Sequence, residues 1–242
     1  MKLDPNAQCL PLARLPLIVI LLLLLGAPTL SAQKVQETPL AEDAITRMLA
    51  RYREIDTLSA KFTHRLVGHN LEQEEQGFLL LKKPAKMYWE YEIPRKKIFV
   101  ADGRRAFFYV PDDRQVFESE LQLDTAETPL LFLFGNEDVR HAYRAEYEMS
   151  EPAWQASNLL LRLTPRVPKA EFTHVLLEID PVSYLILRLV VVEPVGNENH
   201  YLLREIQENI KLPDRQFRFK VPAGVERIRP TPNESSPGTI KE

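Results

Sequence analysis

Ile98-Phe99-Val100-Ala101-Asp102-Gly103-Arg104-Arg105-Ala106-Phe107-Phe108-Tyr109-Val110-Pro111 decides the fold. Two β-prone apolar runs flank Asp102-Gly103, a strong hairpin signal. With these two residues as the turn, Ala101 pairs with Arg104 and Val100 with Arg105. Ile98, Val100, Phe107 and Tyr109 then share one face. Phe99, Ala101, Ala106, Phe108 and Val110 share the other. Both faces carry large apolar groups, so both need cover. Residues 184–193 behave alike, with Leu185, Leu187, Leu189 and Val191 opposing Ile186, Val190 and Val192.

The same period of two extends outward. In 58–66, Leu58, Ala60, Phe62 and Leu66 alternate with Ser59, Lys61, Thr63 and Arg65. Strand-like runs follow near 76–82, 86–92, 96–101, 104–110, 115–119, 143–149, 159–164, 172–180, 184–193, 200–210 and 216–221. Asp180-Pro181 and Pro194-Val195-Gly196-Asn197 are among the turns between them. A succession of short strands with brief links predicts a meandering antiparallel sheet, curled into a barrel or part-barrel.

Two segments break the pattern. Over 38–56, Ala41, Ala44, Ile45, Met48, Leu49, Tyr52 and Ile55 recur at spacings of three and four, one apolar stripe of a surface helix. Thr38 serves as its N-cap and Pro39 as its first residue. Thr128-Pro129 announces a second, short helix over 128–135, apolar all round, which Gly135 can end. Such a helix cannot lie on a wet surface; it must plug or cover something apolar. More than about eight strands leave room inside a barrel. On pattern alone, the apolar faces could be an ordinary core or the lining of a cavity. Met87, Trp89 and Tyr91 share one strand face, read as the cavity side, although that face could also pack on helices.

The N-terminus reads as a secretory signal over residues 1–32. Lys2 and Arg14 precede an apolar run from Leu15 to Leu25, and small residues lead to a cut near Ala32. The run is about half the roughly 20 residues that span a bilayer. The only cysteine, Cys9, precedes the run, where a lipoprotein's acylated cysteine would follow it. Residues 33–228 then form one domain, and 229–242, with three prolines, read as a disordered tail.

A net charge of −3 disfavours binding to nucleic acid. His64 and His69 straddle a turn with no third ligand near, so no metal site is expected. No Gly-x-Ser-x-Gly elbow or Ser/His/Asp set is present, and Asp112-Asp113 reads as turn chemistry. No enzyme and no cofactor are expected. Lys82, Lys83, Lys86, Arg95, Lys96, Lys97, Arg104 and Arg105 form a basic group, either a docking face or a solvated, paired surface.

The order of motifs resembles the outer-membrane lipoprotein carrier family, LolA, over nearly the whole expected mature length. A helix leads to Leu58-Ser59-Ala60-Lys61-Phe62-Thr63, and Gly77 begins the next strand. Leu81-Lys82-Lys83-Pro84 with Met87-Tyr88-Trp89 is similar to the family's basic-basic-Pro…aromatic-Trp signature. Ala101-Asp102-Gly103 with Phe107-Phe108-Tyr109-Val110-Pro111 is similar to its hairpin. Thr128-Pro129-Leu130-Leu131 resembles its lid helix, and Phe217 to Val225 its closing motif.

The resemblance implies an unclosed antiparallel β-barrel of about eleven strands under a lid of short helices. It implies a monomeric periplasmic carrier with no cofactor. Its partners would be acylated lipoproteins, an inner-membrane ABC transporter that releases them, and an outer-membrane receptor. The expected cavity residues are Leu58, Ala60, Phe62, Met87, Trp89, Tyr91, Phe107, Tyr109 and Leu131. Lys83 falls where the family has a basic residue, usually Arg, that latches the lid through backbone, here at Leu133 and Phe134. Lys lacks the guanidinium fork, so a looser latch follows. Met87 replaces an aromatic at the cavity mouth. Two alternatives remain open: a carrier of a glycolipid or isoprenoid lipid, and a lipid-sensing regulator of the kind that binds anti-sigma factors on the same half-barrel. Such regulators usually add a second domain, for which the expected mature length leaves no room.

Overall fold

The computed structural model describes residues 40–121, 129–134 and 138–229. The expected signal over 1–32 and the tail beyond Arg229 lie outside them. Helix α1 (Ala41–Arg53) buries Ala44, Ile45, Met48, Leu49 and Tyr52, the stripe its spacing predicts. Its N-terminal flanking residue is the extended Leu40, and the expected cap pair Thr38-Pro39 lies outside the described residues.

The strands are β1 (Thr57–Val67), β2 (Glu72–Lys82), β3 (Lys86–Ile93), β4 (Lys97–Asp102), β5 (Arg105–Val110) and β6 (Gln115–Glu120). A 3-10 turn over Pro129–Phe134 and the short helix α2 (Asp138–Ala142) follow. Then come β7 (Tyr143–Tyr147), β8 (Leu159–Pro165), β9 (His174–Ile179), β10 (Ile186–Val192), β11 (Glu198–Glu208) and β12 (Glu226–Ile228).

All twelve belong to one sheet, ordered β12-β6-β5-β4-β3-β2-β1-β11-β10-β9-β8-β7. Its edges, β12 and β7, do not pair with each other, so the barrel stays open. Neighbours are antiparallel except β12, which runs parallel to β6. The predicted strand at 216–221 is instead a 3-10 turn over Asp214–Phe217 and irregular chain.

The sheet bends where its ladders slip. A bulge interrupts β1–β11 between Ser59 and Lys61, and another interrupts β2–β3 beside Gly77. A Cβ at Gly77 would stand 1.8 Å from the Glu90 carbonyl oxygen, so only glycine admits this approach. The β4–β5 hairpin is longer than the two-residue turn predicts. Ala101 pairs with Ala106, and Asp102 Oδ1 accepts the backbone N–H groups of Arg104 and Arg105. That shifts the register by two residues, so each side chain keeps its expected face.

Candidate functional site

Register places the lining on one side of the sheet. Leu58 pairs with Leu81 and Leu81 with Met87; Ala60 pairs with Leu79 and Leu79 with Trp89. Phe62 pairs with Gly77, which pairs with Tyr91. Across β11, Phe62 meets Leu203. One step further along, His64 pairs with Tyr201, and Leu189, Leu177 and Leu161 continue that row over β10, β9 and β8. Leu58, Ala60, Phe62, Met87 and Trp89 are each at most 4% exposed, and Tyr91 packs against them. Together they make one apolar trough across the inner face.

Two cover elements fill it. Helix α1 lays its stripe into the same core, and its Tyr52 hydroxyl accepts the backbone N–H of Ile186 at 3.1 Å. Burial pushes the Tyr52 phenol well above its ordinary value. From the 3-10 turn, Phe132 and Leu133 are buried, with the Phe132 ring 5.3 Å from Tyr143, and Phe134 is half-buried. The side chain of Leu131 lies outside the described residues.

Two expectations need correcting. Phe107 and Tyr109 stand on the outer face, because Ala101 and Ala106 occupy the inner one beside Met87 and side chains alternate along β5. There both rings pack on Phe219, at 5.4 and 5.5 Å. The C-terminal segment thus covers the second apolar face of the hairpin. Lys83, in turn, does not latch Leu133 or Phe134. Its ammonium donates to the carbonyls of Tyr52, at 2.6 Å, and Arg53, at 3.0 Å. The cause is local: the turn after β2 meets the α1–β1 connection, where Lys83 N–H also donates to the Asp56 carbonyl. Lys83 therefore caps the C-terminal end of α1, where a cation suits the exposed carbonyls.

Past Phe62 the trough turns polar, which sequence reading missed. The rings of His64 and Tyr201 stack at 4.4 Å. His64 Nε2 lies 3.2 Å from Asn199 Oδ1, and Lys97 donates to Glu75 at 2.6 Å. Burial pushes the Glu75 carboxyl up, but its contacts with His64 and Lys97 outweigh this and hold it below the ordinary carboxylate range. Burial raises the Tyr201 phenol to about 12. The signal was present in the period: His64 falls on the face of Leu58, Ala60 and Phe62.

Much of the basic group is paired. Lys82 and Lys86 share Asp214, Arg95 bridges Asp112 and Asp113, Lys96 meets Glu90, and Arg105 meets Glu118. Lys86, Asp102, Arg104, Asp214, Phe217 and Arg218 line an open cleft of about 440 Å³.

An open sheet with an apolar inner face under a small helical cover defines the class: a lidded half-barrel with an apolar interior. The sequence profile of the family described as "Outer membrane lipoprotein carrier protein LolA" matches residues 53–220. The chain belongs to this family, one of carriers and not of enzymes. It is 26% identical over 215 residues to the outer-membrane lipoprotein carrier protein of Hahella chejuensis, covering 88% of this chain and 99% of that one. It is 27% identical over 192 residues to the carrier of Bordetella avium, covering 78% and 89%. Among solved structures, a conserved protein of Thermus thermophilus shares the fold at a TM-score of 0.50 and 13% identity, covering 76% of this chain and 98% of that one.

Proposed function

We propose that this protein is a periplasmic carrier that holds the acyl chains of lipoproteins in the trough between sheet and cover. It takes them from an inner-membrane ABC transporter and hands them to an outer-membrane receptor. Residues 1–32 direct export and are removed near Ala32. Residues 33–228 do the carrying.

One observation carries this reading. The inner face is apolar from Leu58 to Trp89 and is covered by Phe132 and Leu133, with aromatic and aliphatic contact rather than a charged clasp. Such a cover can be exchanged for something equally apolar. Exposing Phe132 and Leu133 costs about 1.5–3 kcal/mol each. Burying a dozen methylenes returns about 10 kcal/mol, at roughly 0.8 kcal/mol per methylene. Two chains therefore outweigh opening of this turn several-fold, while the empty protein stays closed.

Leu133→Glu tests it. A carboxylate at this buried position disfavours the closed state and places a charge in the trough. We expect at least tenfold weaker retention of an acylated lipoprotein in a pull-down with purified protein. Unchanged retention would remove the cover from the mechanism.

A further inference from the structure

One donor inside the trough has nothing to donate to. Trp89 is 2% exposed, and its indole Nε1 has no hydrogen-bond partner among the described residues. Its ring packs 5.0 Å from Phe62 and 5.8 Å from Tyr201. Buried N–H groups are normally satisfied, so an orphaned one marks a site with a missing partner.

Register shows where that partner would lie. The trough is built in steps: Leu58, Leu81 and Met87; then Ala60, Leu79 and Trp89; then Phe62, Gly77 and Tyr91; then His64 and Glu75. The first step is apolar. The last is polar: His64 Nδ1 stands 3.4 Å from Glu75 Oε2, and Lys97 and Asn199 complete the group. Trp89 sits between the two regimes. A bare hydrocarbon chain would leave its N–H unsatisfied. A glycerolipid has one change of character, at the ester, where apolar chain meets polar glycerol, and it presents a carbonyl acceptor there.

We propose that Trp89 Nε1 donates to an acyl ester carbonyl of the cargo. The chains run toward Leu58 and Met87, and the glyceryl end faces His64, Glu75 and Lys97. This rests on the carrier reading and extends it: the trough recognises a diacylglyceryl ester, not chain length alone, and holds it in one orientation.

The test compares 1,2-dioctanoylglycerol with its ether analogue, 1,2-dioctylglycerol, by calorimetric titration of the full-length mature protein. Chains and glycerol are the same; only the carbonyls differ. One neutral hydrogen bond predicts about fivefold tighter binding of the ester. Trp89→Phe should bring the ester-to-ether affinity ratio to about one, whatever it does to the two affinities together. Equal binding of ester and ether by the wild-type protein would overturn the proposal and leave carriage standing. So would an ester preference that survives Trp89→Phe. Binding of neither lipid would overturn both readings. Where Trp89→Phe lowers the melting temperature too far for titration, the wild-type ratio decides. A diacylglyceryl-cysteinyl peptide distinguishes the source of the ester: tighter binding than dioctanoylglycerol assigns it to a lipid borne on protein, and equal binding to glycerolipids at large.

Discussion

Lys83 shows how one side chain ties cover to sheet. Its ammonium gathers the carbonyls of Tyr52 and Arg53, the end of α1, from a turn that belongs to the sheet. Burial draws its pKa down and Asp56 opposes this, so a charged group is kept in a partly dry place by the carbonyls it serves. Lys83→Met keeps the stem and removes the donors. We expect it to lower stability by about 1 kcal/mol, read as an earlier midpoint in urea with an unchanged slope. A midpoint equal to wild type would mean that the contact adds nothing and that apolar packing alone docks α1. The expectation that Lys83 would meet Leu133 and Phe134 failed for a physical reason. A lysine's reach is decided by which chain passes its turn, and residue spacing does not encode that.

At the scale of elements, the outer face of β8–β10 is closed by the loop after β7, and buried carboxylates hold it. Glu178 is fully buried and accepts from the backbone N–H groups of Trp154 and Gln155, from Asn158 and from Arg188. Glu148 accepts from Ser150 and Arg162. Burial pushes the Glu148 carboxyl up, but the Ser150 and Arg162 contacts prevail and hold it at about 2, below its ordinary 4.5. The folded value lies below the unfolded one. The stabilisation is therefore complete above about pH 4.5 and is lost as pH falls toward about 2. Melting temperature should drop more steeply over that window in the wild-type protein than in Glu148→Gln. Parallel curves would contradict this role.

Elements were also the most legible scale. Period two located the strands from β1 to β11, and the three-and-four spacing located α1. What stayed hidden was which face each strand turns inward where both are apolar. In β5 the choice falls on Ala106 rather than Phe107, because Phe219 returns from far along the chain to cover the outer rings. The three-residue β12 is too short to show a period, and its parallel pairing with β6 leaves no local mark.

For the molecule as a whole, the decisive feature is the sheet that does not close. Its free edges, β12 and β7, leave a trough that must be covered by something. In this state α1 and the 3-10 turn supply the cover, and the inner row of Leu58, Phe62, Met87 and Trp89 stays dry. A filled trough and a carrier are compatible only if cargo replaces cover. Because both are apolar, cargo can take the place of cover, and a membrane or a partner that offers the chains an equally apolar place can take the cargo in turn. The membership of the chain in the LolA family gives that exchange its cargo. The most direct measurement is to purify the protein from its native envelope in detergent-free buffer and identify by mass spectrometry what comes with it. Acylated lipoprotein is expected in wild-type preparations, and much less with Leu133→Glu. Repeated wild-type preparations that yield neither lipid nor acylated protein would contradict it.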